Sequence, residues 1–385
     1  MKLTKLFTDF FESEKAAGFI LLGCTVASLI LANSGWSESY IAMWHYELAG
    51  HPVEYWINDG LMAIFFLMIG LELEREIYKG ELSNLRNALL PVFGAVGGML
   101  FPAGIYLLLN LNSGQQNGAG IPMATDIAFT IGMLSLLGKR VPVGLKIFLI
   151  ALAVIDDLGA ILVIAFFYSK GVDWLNLGIA LGIFAFLLLL NRLKVHRLWP
   201  YLLIGVAMWY FMWQSGVHPT IAGVMLAFAI PFGSGGPQTI SYKLQHSLHR
   251  PVSFVILPIF ALANTGIVIP DSWTSDLFSS PGLGIMLGLI IGKPLGILVF
   301  CMIAVFLKLS ALPAGVKWGH ISGAGMLAGI GFTMSIFITL LAFTDQAAIV
   351  TAKIAVLAGS TVSAVLGLLV LRLTLKKRPE SEFVL

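Results

Sequence analysis

Apolar runs long enough to cross a bilayer recur from one end of this chain to the other, and a chain built that way is not a water-soluble globule. Hydrophobic residues make up 58% of its 385 positions and charged residues 11%, where soluble domains carry roughly a quarter. Candidate spans lie near 14–33, 57–79, 88–109, 121–138, 143–168, 174–191, 199–214, 217–232, 250–269, 283–307, 321–343 and 350–374. The prediction is an all-α polytopic membrane protein with about twelve transmembrane helices, a single integral domain over 1–385. No long hydrophilic insertion separates the runs. The chain is therefore expected to hold no soluble domain, to need no cofactor and not to be an enzyme, so the membrane segments carry the function. The apolar stretch Ala16 to Ala32 follows Asp9, Glu12 and Glu14, which suits a first span better than a signal peptide. Cys24 and Cys301 sit inside apolar runs and read as small buried hydrophobes, without zinc or disulfide spacing. A net charge of +3 gives no reason to expect a nucleic-acid partner.

Positive charge orients the spans independently of hydropathy. The connections 34–56, 110–120, 215–217, 270–282 and 344–349 contain no Lys or Arg. Of 23 basic residues, all but Lys170, Lys293 and Lys353 fall on the opposite side. That alternation predicts an even number of spans with both termini cytoplasmic.

Charges inside the spans stand out, because each costs roughly 2.5–3.5 kcal/mol at the bilayer centre on insertion scales. They are Asp59, Asp126, Asp156, Asp157, His218, Lys293 and Lys353, with Glu72 and Glu76 deep in the second span. Asp156 and Asp157 lie in LIALAVIDDLGAILVIAFF, far from either end. Adjacent helix positions point about 100° apart, so the two carboxylates cannot share one partner on one face. Two internal salt bridges would need two buried cations, and Lys293 in GLIIGKPLGILVF is the partner for only one. The other carboxylate must hold a proton or a cation. A site that holds either a proton or a hard cation, through oxygen ligands at Asp157 and Asp156, is the chemical core of exchange.

Two spans carry weak points. Pro122, Thr125 and Gly132 surround Asp126 in the fourth. In the eleventh, Gly329 and Gly331 flank Ile330, and those glycines would equally serve close helix packing. Phe129-Thr130 and Phe332-Thr333 echo one another across the two stretches. Paired interrupted helices mark transporter binding sites, and their half-helix ends invite an aspartate and a lysine. His218 precedes Pro219 at a membrane edge, a setting that is structural more often than functional. Glu72, Arg75 and Glu76 share one helix face at the cytoplasmic end of the second span. His246 and His249 stand at the cytoplasmic start of the ninth. Histidine changes charge near neutral pH, so these two are candidate proton sensors together with Glu72, Glu76 and His218.

WINDGLMAIFFLMIGLELERE, IPMATDIAFTIGMLSLLGKRVPVGLKIFLIALAVIDDLGAI, SGVHPTIAGV, LIIGKPLGI and GIGFTMSIFI resemble the NhaA-type sodium/proton antiporters, colinearly over nearly the whole chain. The resemblance implies twelve helices built as inverted repeats, the fourth and eleventh broken and crossing at mid-membrane. It implies that Asp157 and Asp156 are the exchange carboxylates, that Lys293 pairs with an aspartate, and that Thr125 and Asp126 sit at the crossing. It also implies an electrogenic protein of the bacterial inner membrane that extrudes Na+ or Li+ against H+, is activated at alkaline pH, and forms a homodimer in the bilayer. Two departures stand out. Gln245 replaces an acid common before the first histidine of the ninth span, and the Ser34–Tyr55 loop is short for the family's periplasmic hairpin.

An intramembrane aspartyl protease would show Tyr-Asp and Gly-x-Gly-Asp at its aspartates, and neither occurs here. A prenyltransferase would need Asp-rich loops near the surface. A passive channel, or a symporter of a small organic anion coupled to protons or sodium, remains as the rival. Cation-driven proton flux without organic substrate separates both from an antiporter.

Overall fold

The computed structural model describes residues 5–169 and 171–375. Lys2, Lys170, Lys376, Lys377 and Arg378, used above for orientation, lie outside them. The first helix, α1 (Lys5–Ala32), is followed by the short α2 (Ser37–His45). A two-stranded antiparallel hairpin comes next, β1 (Glu47–Leu48) with β2 (His51–Pro52). Its turn residues Ala49 and Gly50 both take positive φ, at 52° and 82°. That is the tight turn whose twist suits a hairpin, and glycine adopts it without strain. The Ser34–Tyr55 loop is thus short but still builds a hairpin.

The helices after it are α3 (Val53–Tyr78), α4 (Leu85–Asn110), α5 (Ile127–Ser135), α6 (Val143–Phe167) and α7 (Trp174–Arg192). Then come α8 (Leu198–Gln214), α9 (Thr220–Ala229), α10 (Ile240–Asn264), α11 (Trp273–Leu277) and α12 (Ser280–Phe306). The chain closes with α13 (Trp318–Ala328), α14 (Phe332–Ala342) and α15 (Gln346–Thr374). Among the described residues, eight helices are long and apolar enough to span a membrane, and α13 with α14, bent by 48°, makes a ninth.

The other three expected spans are helical, but none of them is a single helix of 18 residues or more. The seventh is α8, of 17 residues. The eighth was expected over 217–232, and α9 has only 10 residues. Pro231 is the reason, because the residue before a proline is pushed out of the helical region, and Ile230 takes ψ 133°. The fourth was expected over 121–138. It is instead a 3-10 segment (Gln116–Met123), an extended stretch, and α5. The ninth begins at Ile240 rather than near 250. Pro251 and Pro258 do not end it, because a π-helical stretch, Val252–Ile256, lies between them. A second such stretch, Gly288–Gly292, comes just before Pro294 in α12. The wider π turn relieves the clash of a proline ring with the preceding carbonyl.

One large core joins α3 through α6 with α10 through α15, and a smaller one joins α7, α8 and α9 to α3. Close contacts run through small residues, as expected where lipid gives no hydrophobic drive to helix association. Gly97 of α4 and Gly296 of α12 face each other so closely that a Cβ on either would strike the other's carbonyl. This packing brings α6 and α12 against the two interrupted segments.

Candidate ion-exchange site

The two interruptions satisfy one another. Where α13 stops, its last carbonyls have no partners within the helix. The other interruption supplies donors: Asp126 N–H reaches Ile330 O at 2.7 Å, Thr125 Oγ1 reaches Ala328 O at 2.9 Å, and Thr130 Oγ1 reaches Leu327 O at 3.1 Å. The orphan N–H groups where α5 and α14 begin are met as well. Asp126 caps α5, with Oδ1 accepting from Phe129 N–H at 3.0 Å. Its Oδ2 accepts from Thr333 N–H at 3.2 Å and from the Thr333 hydroxyl. Ser360 of α15 accepts from the N–H groups of Gly331 and Phe332, both at 3.2 Å.

One carboxylate therefore faces two helix N-termini, where negative charge is favoured. The matching cation is Lys293, which donates to the carbonyl of Met123 at the end of the 3-10 segment. The expected pairing of an aspartate and a lysine with the half-helix ends is thus present. Thr125 and Asp126 stand at the crossing.

Gly329 and Gly331 lie at the break, and both need their missing side chain. A Cβ on Gly329 would strike the backbone carbonyl of Leu289, whereas on Gly331 it would first meet the movable Ser335 hydroxyl of its own helix. Break and close packing are here the same requirement. Gly329→Ala should therefore destabilise the protein by about 1–3 kcal/mol, the cost of overpacking, and more than Gly331→Ala does. Thermal midpoints in detergent compare them, and equal midpoints would contradict this account.

Lys293 is fully buried on α12 and lies 2.8 Å from Asp156 Oδ2. Thr125 Oγ1 lies 2.7 Å from that same oxygen. The Thr125 hydroxyl has one proton, so it donates either to Asp156 or to Ala328 O. Asp156 Oδ1 is buried and has no hydrogen-bond partner. Asp157, one position on and 3% exposed, points elsewhere. Among the described residues no hydrogen bond and no ion pair reaches its carboxylate. Its electrostatic neighbours are Asp156, Glu72 and Asp126, which repel it, and Lys293, which attracts it. One buried carboxylate is thus paired with lysine, and its buried neighbour has no such partner among the described residues.

Toward the C-terminal end of α3, Glu72 lies in the fields of Arg75 and Glu76. Arg75 does not stay on its own helix face. It donates to Gln245 Oε1 at 3.3 Å and lies 4.7 Å over the Tyr242 ring. Tyr242 stacks on His246 at 6.1 Å, and His249 lies in the field of His246. The candidate sensor residues on α3 and α10 therefore form one connected group, and Glu72 couples it to Asp157. His218 is not part of it. Its Nε2 lies 3.3 Å from Asp59 Oδ1, at the far end of α3.

Sequence reasoning missed Glu74, which is 5% exposed with Oε2 unpartnered and faces Ser241 of α10. Its signal was available, since two residues beyond Glu72 lies on the opposite helix face. Ser360 and the reciprocal pair Asn58–Asn264, at 2.7 and 3.3 Å, gave none.

The chain matches the profile of the Na+/H+ antiporter 1 family over residues 8–371. It is 62% identical over 372 residues to Na(+)/H(+) antiporter NhaA 1 of Flavobacterium johnsoniae, covering 97% of this chain and 98% of that one. It is 60% identical over 376 residues to Na(+)/H(+) antiporter NhaA of Flavobacterium psychrophilum, covering 98% of each. The NhaA antiporter of Cytophaga hutchinsonii is 57% identical over 382 residues, 99% of each chain.

Proposed function

Because the chain belongs to the Na+/H+ antiporter 1 family, we propose that it exchanges sodium ions for protons across the membrane, with Asp157 as the carboxylate for which the two compete. The observation that carries this reading is the contrast between neighbours. Asp156 is paired with Lys293 at 2.8 Å, while Asp157 is buried with no partner among the described residues. An ionised carboxylate without a partner is costly in a low dielectric, so Asp157 is stable only when a proton or a cation occupies it. Asp156 Oδ1, unpartnered and adjacent, offers a second oxygen of the kind that hard cations prefer. Thr125 and Lys293 hold the other oxygen of Asp156 in place. Asp126 keeps the two half-helices crossed and adds negative field at the site.

Alternation between two openings follows from charge. With either ion bound the site is discharged enough to change exposure, and empty it is not. The finer parts of the reading are extrusion of Na+ or Li+ from the cytoplasm, electrogenic exchange, twelve spans in a bacterial inner membrane, cytoplasmic termini, and pairing of two copies. A symporter of organic anions would need a free cation in the core. Lys293, the cation at the site, is already engaged by Asp156.

The test is proton flux in inverted vesicles with cations added singly. Sodium should drive flux with no organic substrate present, and dependence on an added anion would overturn the reading. Competition also fixes the pH dependence. Apparent sodium affinity improves as pH rises and levels off once the site has lost its proton. Saturating sodium then restores the maximal rate at acid pH. Glu72, Glu76, His246 and His249 supply a weaker second control, because Gln245 puts a neutral amide against Arg75. An acid-side loss of maximal rate that persists at saturating sodium, and that Glu72→Gln shifts, would contradict this ranking.

A further inference from the structure

At the end of the fold that the positive charges place outside, a cavity of about 260 Å³ opens between α3, α9 and α14. Its polar lining is Glu54, Tyr55, Asn58, Asp59 and His218, and Phe337 of α14 also borders it. Asp59 lies in a π-helical stretch, Trp56–Leu61, a distortion found often at functional sites. Asn58 is held by its exchange of hydrogen bonds with Asn264. The Tyr55 hydroxyl is buried close to Asp59. His218 Nδ1 lies 2.7 Å from the Thr220 hydroxyl and 3.5 Å from Thr220 N–H. In the neutral ring Nδ1 therefore accepts, and Nε2 carries its proton toward Asp59 Oδ1, 3.3 Å away. Among the described residues, the other charged or titratable groups around this pair are Glu54 on the same helix, which Lys353 of α15 and His45, at 4.0 Å, face, and His51, whose ring stacks on Tyr55 at 4.4 Å.

The cavity stops above the aspartate site. Phe337 is buried, meets the His218 ring edge-on at 5.5 Å and packs on Phe66 and Phe260. It stands one turn beyond Thr333, whose hydroxyl binds Asp126. The volume holds a cation with several of its waters, given about 30 Å³ for each water.

We propose that this vestibule is a second cation site, where a partly hydrated alkali cation that has come past Phe337 from the inner aspartates binds Asp59 and displaces the His218 contact before it leaves. The inference rests on the antiport reading above. A protonated His218 neutralises Asp59 and excludes the cation, so the outer site, like the inner one, takes either ion.

The test uses protein with the inner site removed. Asp157→Asn protein, labelled at its histidines, is titrated in detergent with sodium chloride and, separately, with choline chloride at equal ionic strength. His218→Gln identifies the His218 ring signal. Sodium should shift that signal saturably, choline should not, and adding Asp59→Asn should abolish the shift. No sodium-specific shift, or one that survives Asp59→Asn, would overturn the proposal. If the double variant fails to fold, the Asp157→Asn titration decides alone, because absence of a sodium-specific shift there is already fatal. Failure of the antiport reading has a separate signature, the absence of sodium-driven proton flux by the unaltered protein in vesicles.

Discussion

Asp157→Asn should reduce sodium-driven proton flux to the level of vesicles without protein, while the variant still inserts and runs as a single species in detergent. The amide keeps the shape of the carboxylate but can neither release a proton nor compensate a cation. The same change should leave the sodium-free thermal midpoint unaltered where Asp157 is protonated and raise it at alkaline pH, where it removes a buried charge that repels Asp156, Glu72 and Asp126. Asp156→Asn should do the reverse to stability and lower the midpoint, since it leaves Lys293 buried without its partner. Near wild-type flux in Asp157→Asn would remove Asp157 from the site. Equal midpoints in the two variants would contradict the division of roles between the two carboxylates.

Lys293→Ala should cost stability as well as transport. It leaves Asp156 unpaired in the core and frees the Met123 carbonyl at the end of the 3-10 segment. Removing one member of a buried pair costs roughly 3–5 kcal/mol in soluble proteins, and a loss of that order is expected in detergent unfolding. Lys293→Ala with Asp156→Asn should recover much of it, because the stranded charge is then gone. An additive loss in the double variant would show that Lys293 acts through packing along α12 rather than through the pair.

The central residues were legible because the membrane makes charge conspicuous. Asp126, Asp156, Asp157 and Lys293 stand out in apolar runs, and helical geometry shows that neighbouring aspartates cannot share a lysine. The breaks were also legible, from Pro122 and Thr125 in one segment and Gly329 with Gly331 in the other. What the one-dimensional pattern did not carry was who meets whom. That Lys293 takes Asp156 depends on how α6 and α12 pack around the crossing. That Asp126 spends both oxygens on helix N-termini depends on Thr333, which is 207 positions away. Arg75 looked like half of a pair within its own helix. Its donation to Gln245 follows from the approach of α10 to α3. Span lengths failed where hydropathy outran the backbone: 217–232 is apolar throughout most of its length, but Pro231 ends the helix early.

The central claim is that sodium and the proton occupy the same carboxylate, and proton release on sodium binding tests it most directly. Sodium chloride is added to weakly buffered protein in detergent, and the protons released are followed by pH electrode or indicator dye. The account predicts release on sodium but not choline, declining as the starting pH rises and the site empties of protons, and absent in Asp157→Asn. Sodium binding that releases no proton at any pH, or release that persists undiminished in Asp157→Asn, would contradict it.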